Sequence, residues 1–357
     1  QVKMKKNNLK NKKVFVGMSG GVDSSVSALL LKNQGYDVTG VFIKVWQPDF
    51  IECTWKEDRQ DAMRVCSELE IPFITLDLEK EYKKGVIDYM IKEYKSGRTP
   101  NPDVFCNKEV KFGAFLDWAL KNKADFVATG HYSRKDSKNK FMRASDKSKD
   151  QSYFLWTLTE KQLKKIIFPL QDLQKEEVRE IAKENNLAVA KKKDSQGLCF
   201  IGKIDVKDFL KEFIKSKSGK IIDSVTKKSV GEHDGAVFYT IGEKVLGEYI
   251  VNKDVKKNVL YIGKEKPVYK EEAKTEIILE SINFGIKIKK GETYNLAERY
   301  HAKETGVKII SVKENKIKKE LAVKFELVNK NESFVYTSGQ SLVFYKGEYL
   351  AGGGIMK

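Results

Sequence analysis

The stretch Val14-Phe15-Val16-Gly17-Met18-Ser19-Gly20-Gly21-Val22-Asp23-Ser24-Ser25 decides the fold. Its apolar start reads as a short buried strand over 14–17, and a helical pattern runs from about Asp23 to Asn33. Gly35 stands where a helix C-terminus favours a left-handed residue. Between strand and helix, Gly20 and Gly21 let the backbone turn sharply and approach a ligand. The helix offers unpaired N–H groups and its positive dipole end, and Ser19, Ser24 and Ser25 add hydroxyls. This is a cradle for an oxyanion or a pyrophosphate. It has no Walker lysine and is not G-x-G-x-x-G. The plain alternative is an ordinary strand–helix turn with Asp23 as N-cap.

Strands at Val38–Ile43, Phe73–Leu76 and Ala124–Thr129 alternate with helical stretches at Arg59–Glu70, Glu81–Tyr94 and Lys108–Lys121. Such alternation predicts an α/β domain with a doubly wound parallel sheet. Further helices are expected at Lys175–Asn185 and Asp205–Lys215. From about Gly219 onward, short Val/Ile/Tyr-rich runs alternate with Gly, Asn and Lys turns, which predicts β structure closing as a small barrel. The expected division is a catalytic domain over 1–210, a small mixed central domain over 211–275 and a C-terminal β-barrel over 276–357.

A net charge of +17 fits a polyanionic partner, but lysine-rich genomic bias explains it equally well. No apolar run is long enough to span a bilayer, so a membrane role is not expected. The four cysteines Cys53, Cys66, Cys106 and Cys199 include no C-x-x-C pair, which speaks against a zinc ribbon and for a reducing, cytoplasmic setting.

Two cysteines sit in basic surroundings. Arg98-Thr99-Pro100-Asn101-Pro102-Asp103-Val104-Phe105-Cys106-Asn107-Lys108 is a proline-stiffened loop opening a helix, with Lys111 close by. A helix start and nearby lysines favour the Cys106 thiolate; the bland reading is a small buried hydrophobe. Lys191-Lys192-Lys193-Asp194-Ser195-Gln196-Gly197-Leu198-Cys199 is a second basic loop, bland by itself and suggestive beside Cys106. Cys66 reads as core, and Cys53 is assigned no role.

The S-G-G-x-D-S-S string resembles the PP-loop ATP pyrophosphatases. Further blocks narrow the likeness: 98–108, Ala128–Tyr132 (A-T-G-H-Y), Lys149–Leu155 (K-D-Q-S-Y-F-L), Lys191–Gly202, and G-Q-S-x-V-F-Y with G-G-G-I at the end. Together they resemble the bacterial tRNA-specific 2-thiouridylase (MnmA) family, over about 14–355. The resemblance implies ATP-dependent 2-thiolation of the wobble uridine, position 34, of tRNA. It implies that Gly17, Met18, Ser19, Gly20, Gly21, Val22, Asp23 and Ser24 bind ATP, with Ile43 and Gly130 lining the pocket. Asp23 counts among the catalytic residues, capping the helix or helping to hold Mg²⁺.

Asn101, Pro102 and Asp103 would meet the target base. His131, Lys149, Asp150, Gln151, Arg299, Tyr300 and Gln340 would contact tRNA, although His131 alone reads as a turn residue. The C2 oxygen would be adenylated, Cys199 would carry the sulfur as a persulfide, and Cys106 would be the catalytic nucleophile. The sulfur would come from a persulfide-donating relay protein or a cysteine desulfurase. No resident metal site is expected. An iron–sulfur cluster on Cys106, Cys199 and Asp103 is the less favoured alternative, since two thiols are few. Two other readings are a small-molecule PP-loop synthetase, which needs no cysteine pair, and an RNA-binding protein with a degenerate nucleotide site. One departure from the family stands at 242–248, where an expected G-Q-R-K-G-L-G reads Gly-Glu-Lys-Val-Leu-Gly-Glu and a longer loop is curtailed.

Overall fold

A computed structural model describes residues 11–50, 55–193, 205–268, 275–329 and 332–357. The chain forms two compact units. The first takes residues 1–86, 103–203 and 348–350, and the second takes 87–102, 204–347 and 351–357.

The first unit is built on a parallel sheet. Its strands are β1 (Lys13–Gly17), β2 (Asp37–Lys44), β3 (Phe73–Asp77), β4 (Phe126–Thr129) and the short strand Ile166–Ile167. Their order is β3-β2-β1-β4 and then Ile166–Ile167, with every pairing parallel. β1 is central and apolar on both faces, as a strand covered on both sides must be. Val14 and Val16 pack with Val26 of helix α1 (Val22–Asn33), Val65 of α2 (Trp55–Glu68) and Val178 of the helix Lys175–Glu184. Phe15 points the other way and meets Trp118 of the helix Phe115–Lys121, 5.3 Å between ring centres. The predicted doubly wound α/β sheet is present.

Several elements differ from the reading of the sequence. The strand Ile166–Ile167 is only two residues long and carries no periodic signal. The segment read as one helix over 81–94 is α-helical at Glu79–Tyr82, π-helical at Lys83–Asp88 and α-helical again at Tyr89–Lys95. The helix expected to open at Lys108 opens at Pro102, turns π-helical over Cys106–Ala114 and runs to Lys121. Proline at the first helical position explains the earlier start, because its missing N–H would have no intrahelical partner there.

The second unit contains two sheets. One has the strand order Lys244–Val245, Glu248–Asp254, Val259–Gly263, Gly219–Asp223, Ser229–His233. Within the divergent stretch 242–248, Leu246 at φ +52° and Gly247 at φ +84° form a two-residue hairpin turn. Two left-handed central residues match the right-handed twist of the flanking strands. The other sheet closes on itself as the expected C-terminal barrel. Its strand Thr275–Phe284 pairs with Glu320–Leu327 on one side and with Tyr349–Met356 on the other. Ile277, Tyr294, Val323, Phe325 and Phe344 fill the interior. Among the described residues, no helix is long and apolar enough to cross a membrane.

Cys66 lies in the core of the first unit, as its sequence context implies, and its sulfur occupies the space beside Gly40. Burial pushes its thiol up to about 12. In the folded protein Cys66 should therefore resist alkylation at neutral pH and become reactive only on denaturation. Cys66→Ser should cost about 1–3 kcal/mol, the penalty for a poorly paired buried hydroxyl. Chemical denaturation and thiol mass mapping check both outcomes.

Candidate functional site

The strand order reverses direction between β1 and β4, so the carboxyl ends of these two strands form the topological switch point of the sheet. Open α/β sheets bind ligands there. The loop after β1 carries Met18-Ser19-Gly20-Gly21, and the loop after β4 carries Gly130-His131. Gly17 and Thr129 are register partners, so the loops leave the sheet side by side. A Cβ on Gly130 would stand 2.8 Å from the carbonyl carbon of Asp23 and the nitrogen of Ser24. Only glycine permits that approach to the first turn of α1. Gly20 adopts φ +74°, and a Cβ there would lie 2.2 Å from the carbonyl oxygen of Asp58 in α2.

The cradle is ordered by its own hydroxyls. Ser24 Oγ and Ser25 Oγ donate to the carbonyl of Gly21, at 3.1 and 2.8 Å. Ser19 N–H donates to Ser24 Oγ at 3.2 Å. Gly21 is the N-cap, with no side-chain cap. The N–H groups of Val22, Asp23 and Ser24 open the helix and have no carbonyl one turn back to bond. They are the donors an anionic phosphate needs. Met18 and Val22 are buried beneath the loop, and Ile43 is half-buried near the carboxyl end of β2.

Asp23 is not the N-cap. Its Oδ1 accepts from Lys175 Nζ at 2.6 Å and from Tyr132 Oη at 2.9 Å. Lys175 is only 5% exposed, and its ammonium lies 5.7 Å from the centre of the Tyr132 ring. The sequence reading missed this lysine, 152 residues from its partner, because it looks like an ordinary first residue of an amphipathic helix. Its backbone N–H donates to Asp146 Oδ2 at 2.9 Å. Asp146 also accepts from the N–H groups of Ser148 and Lys149. Burial works against its charge, yet these hydrogen bonds hold its carboxyl below the usual carboxylate range. One buried carboxylate therefore ties the loop holding Lys149 to the helix holding Lys175.

Among the residues expected to meet RNA, His131 is buried and forms a 2.7 Å hydrogen bond with Thr129 Oγ1 through Nδ1. Burial first, and Lys111 second, push its pKa well below the ordinary value, so the ring is neutral. Asp150 accepts from the N–H of Ala144 at 3.0 Å and the hydroxyl of Ser152 at 2.8 Å. Gln151 Oε1 accepts from the N–H of Tyr132 at 3.1 Å. Asp150 and Gln151 thus shape the loop around Lys149, which is half-buried.

Cys106 is buried, at 7% exposure, in the second turn of the helical segment that starts at Pro102. Of the two readings open for Cys106, a thiolate at a helix start and a small buried side chain, the burial matches the second. Neighbouring Asn107 is also buried; its Nδ2 donates to the carbonyl of Phe154 at 3.4 Å, and its Oδ1 has no partner. Asp103 is half-buried, and burial pushes its carboxyl up against the opposing pull of Lys111. Lys192, expected to serve a thiolate, instead donates to Asp58 and Asp61 of α2, each at 2.7 Å. Burial opposes its charge, but the two carboxylates hold its pKa above the ordinary value. The same Asp58 abuts Gly20, so the lysine run is braced against the phosphate loop. Cys199 and Cys53 lie outside the described residues. Among the described residues, no group of three or more His, Cys, Asp or Glu side chains is placed to hold a metal ion.

Asn101, Pro102, Arg299, Tyr300 and Gln340 belong to the second unit. Arg299 Nη2 donates to the carbonyl of Ile241 at 3.4 Å and to Thr337 Oγ1 at 3.3 Å. The Tyr300 and His301 rings lie 3.9 Å apart between centres, tilted by 57°. Gln340 Nε2 donates to the carbonyls of Thr99 and Pro100.

Residues 12–203 match a family model described as the tRNA methyl transferase HUP domain, and residues 207–264 match the tRNA methyl transferase PRC-barrel domain. Among full-length relatives, the tRNA-specific 2-thiouridylase MnmA of Oceanobacillus iheyensis is 44% identical over 98% of this chain and 95% of its own length. The protein of the same name from Bacillus licheniformis is 44% identical over 96% of this chain and 94% of its own. Among solved structures, the U34-tRNA thiolase NcsA from Methanococcus maripaludis with its [4Fe-4S] cluster covers 57% of this chain and 68% of its own, at 24% identity and TM-score 0.37. A likeness that slight carries no argument about chemistry.

The Asp23–Lys175 pair makes a specific prediction. Lys175→Met removes the ammonium but keeps the bulk, leaving a carboxylate beside an anion cradle. Stability should fall by about 2 kcal/mol, below the cost of breaking a fully buried pair because Asp23 is partly exposed. Adding Asp23→Asn should restore a large part of that loss. A double-mutant cycle by urea denaturation checks the coupling. Equal, additive losses would show that the two side chains do not interact energetically.

Proposed function

The chain belongs to the tRNA-specific 2-thiouridylase family, a group of tRNA sulfurtransferases, and we propose that it replaces the C2 oxygen of the wobble uridine, position 34, with sulfur at the expense of ATP. The observation that carries this reading is the cradle at the switch point, which holds the S-G-G-x-D-S-S string against Gly130. Gly17 to Ser24 would hold ATP, with Ile43 and Gly130 lining the pocket. Asp23 would be the residue to hold Mg²⁺, which commonly takes one or two carboxylates and would supply positive charge to the phosphates.

The C2 oxygen of uridine bonds to the α-phosphorus of ATP, and pyrophosphate leaves. The terminal sulfur of a Cys199 persulfide then bonds to C2, and AMP departs with the former C2 oxygen. The Cys106 thiolate attacks Cys199 Sγ, which forms a Cys106–Cys199 disulfide and leaves the second sulfur on the base. A thiol reductant of the cytoplasm restores the pair, and a persulfide-donating relay protein or cysteine desulfurase reloads Cys199. This reading requires Cys106, buried in this structure, to become accessible when tRNA is bound. Asn101, Pro102 and Asp103 would meet the base. Lys149, shaped by Asp150 and Gln151, and His131 would contact tRNA from the first unit, and Arg299 and Tyr300 from the second. The three-part division at 210 and 275 belongs to this reading.

The test is nucleoside mass spectrometry of tRNA after incubation with ATP and a persulfide donor. Wild type should yield 2-thiouridine at position 34. Cys199→Ser should accept no persulfide yet still bind tRNA, and Cys106→Ser should load Cys199 without delivering sulfur. Thiolation by either variant at the wild-type rate contradicts the paired-cysteine route. A methylated uridine in place of the thiolated one would move the chain to the chemistry named in the two domain descriptions.

A further inference from the structure

The segment Ile87–Pro102 is flanked in sequence by residues of the first unit but belongs to the second. Its last residues lead directly into the helical segment that opens at Pro102 and carries Cys106. The bonds that fix Arg98, Thr99 and Pro100 come largely from the end of the C-terminal barrel. Gln340 Nε2 donates to the carbonyl of Thr99 at 3.0 Å and to that of Pro100 at 3.3 Å. Thr99 N–H donates to the carbonyl of Ser338 at 2.9 Å. Gly339 adopts φ +91°, and a Cβ on it would stand 2.9 Å from both the nitrogen and the oxygen of Thr99. Arg98 Nε pairs with Glu93 at 2.8 Å, and its Nη2 reaches Glu280 and the carbonyl of Met356. Thr99 and Pro100 are buried.

The barrel side of this contact is itself locked. Gly339 N–H donates to the carbonyl of Met356 at 2.8 Å, and Met356 N–H donates to that of Gln340 at 2.9 Å. Met356 is also a register partner of Leu279, where the barrel closes. Both N–H donors of the Gln340 amide are aimed at carbonyls of the segment, which makes the side chain a bracket between barrel and chain.

We propose that Gln340 and Gly339 form a clamp that sets the position of the 98–102 segment, so that Gln340 is a positioning residue for the thiolation step. The proposal rests on the function given above for its kinetic consequence, but not for the clamp itself. A residue that only gripped tRNA would affect binding. A residue that aims the base-reading segment affects turnover once tRNA is bound. Gln340→Glu keeps the shape but points carboxylate oxygens at two carbonyls, and Gln340→Ala deletes the bracket. Gly339→Ala forces a Cβ into Thr99 and probes the same contact from the backbone.

The experiment has two arms on the full-length chain. Hydrogen exchange, which needs no activity, should show loss of protection at the Thr99 amide in all three variants while strand Ser341–Lys346 stays protected. Steady-state thiolation should show kcat falling at least about tenfold with tRNA Kd within about twofold, the split expected when positioning and not grip is lost. Weaker tRNA binding with kcat and Thr99 exchange unchanged would overturn the clamp and leave Gln340 as an RNA contact. Lost protection with unchanged kcat would overturn its role in turnover. Absence of 2-thiouridine from the wild-type reaction would count against the proposed function alone, because the exchange arm is read separately.

Discussion

Parallel pairing of β1 with β4 is the constraint on which the first unit depends. It brings the two loops at the switch point together, and Gly130 lets their backbones close to the distance at which no other residue fits. The first turn of α1 then presents its N–H groups beside the β4 loop, not into open solvent. Asp23, fixed by Lys175 and Tyr132, sets the charge at the edge of that turn. The loop after β1 has no Walker lysine but still has a cation close by, and the cation comes from a distant helix. Lys175 also reaches Asp146 through its backbone, so the nucleotide loop and the Lys149 loop are parts of one polar network.

The sheet and the cradle were legible because local rules carry them. A buried apolar strand followed by S-G-G-x-D-S-S has few other conformations, and the alternation of elements implies the parallel order. The barrel was legible from the spacing of its turns. The Asp23–Lys175 pair was not legible, since it spans 152 residues and Lys175 looks like any first-turn lysine. The burial of Cys106 was not legible either, for a related reason. Polar neighbours in sequence say little about burial when the segment is helical and one face of it packs inward. Lys192 likewise looked free in a lysine run, and only the fold shows that two carboxylates of α2 engage it. Asp150 and Gln151 look like binding residues in sequence, yet their visible bonds shape the backbone around them.

The motifs of the chain are divided between its two units. The proline-rich segment before Cys106 is anchored by the C-terminal barrel, although more than two hundred residues separate Thr99 from its partner Gln340. The short turn at Leu246-Gly247 belongs to the same second unit, and its left-handed residues mark it as a compact hairpin.

In the proposed function, the switch-point cradle activates a uridine oxygen by cleaving ATP between its α and β phosphates. ATP labelled at the α-phosphate, incubated with the protein, uridine-34 tRNA and a persulfide donor, measures this directly. The account predicts labelled AMP, formed one for one with 2-thiouridine and pyrophosphate. Labelled ADP as the main product, or AMP formation that is indifferent to tRNA, would contradict it.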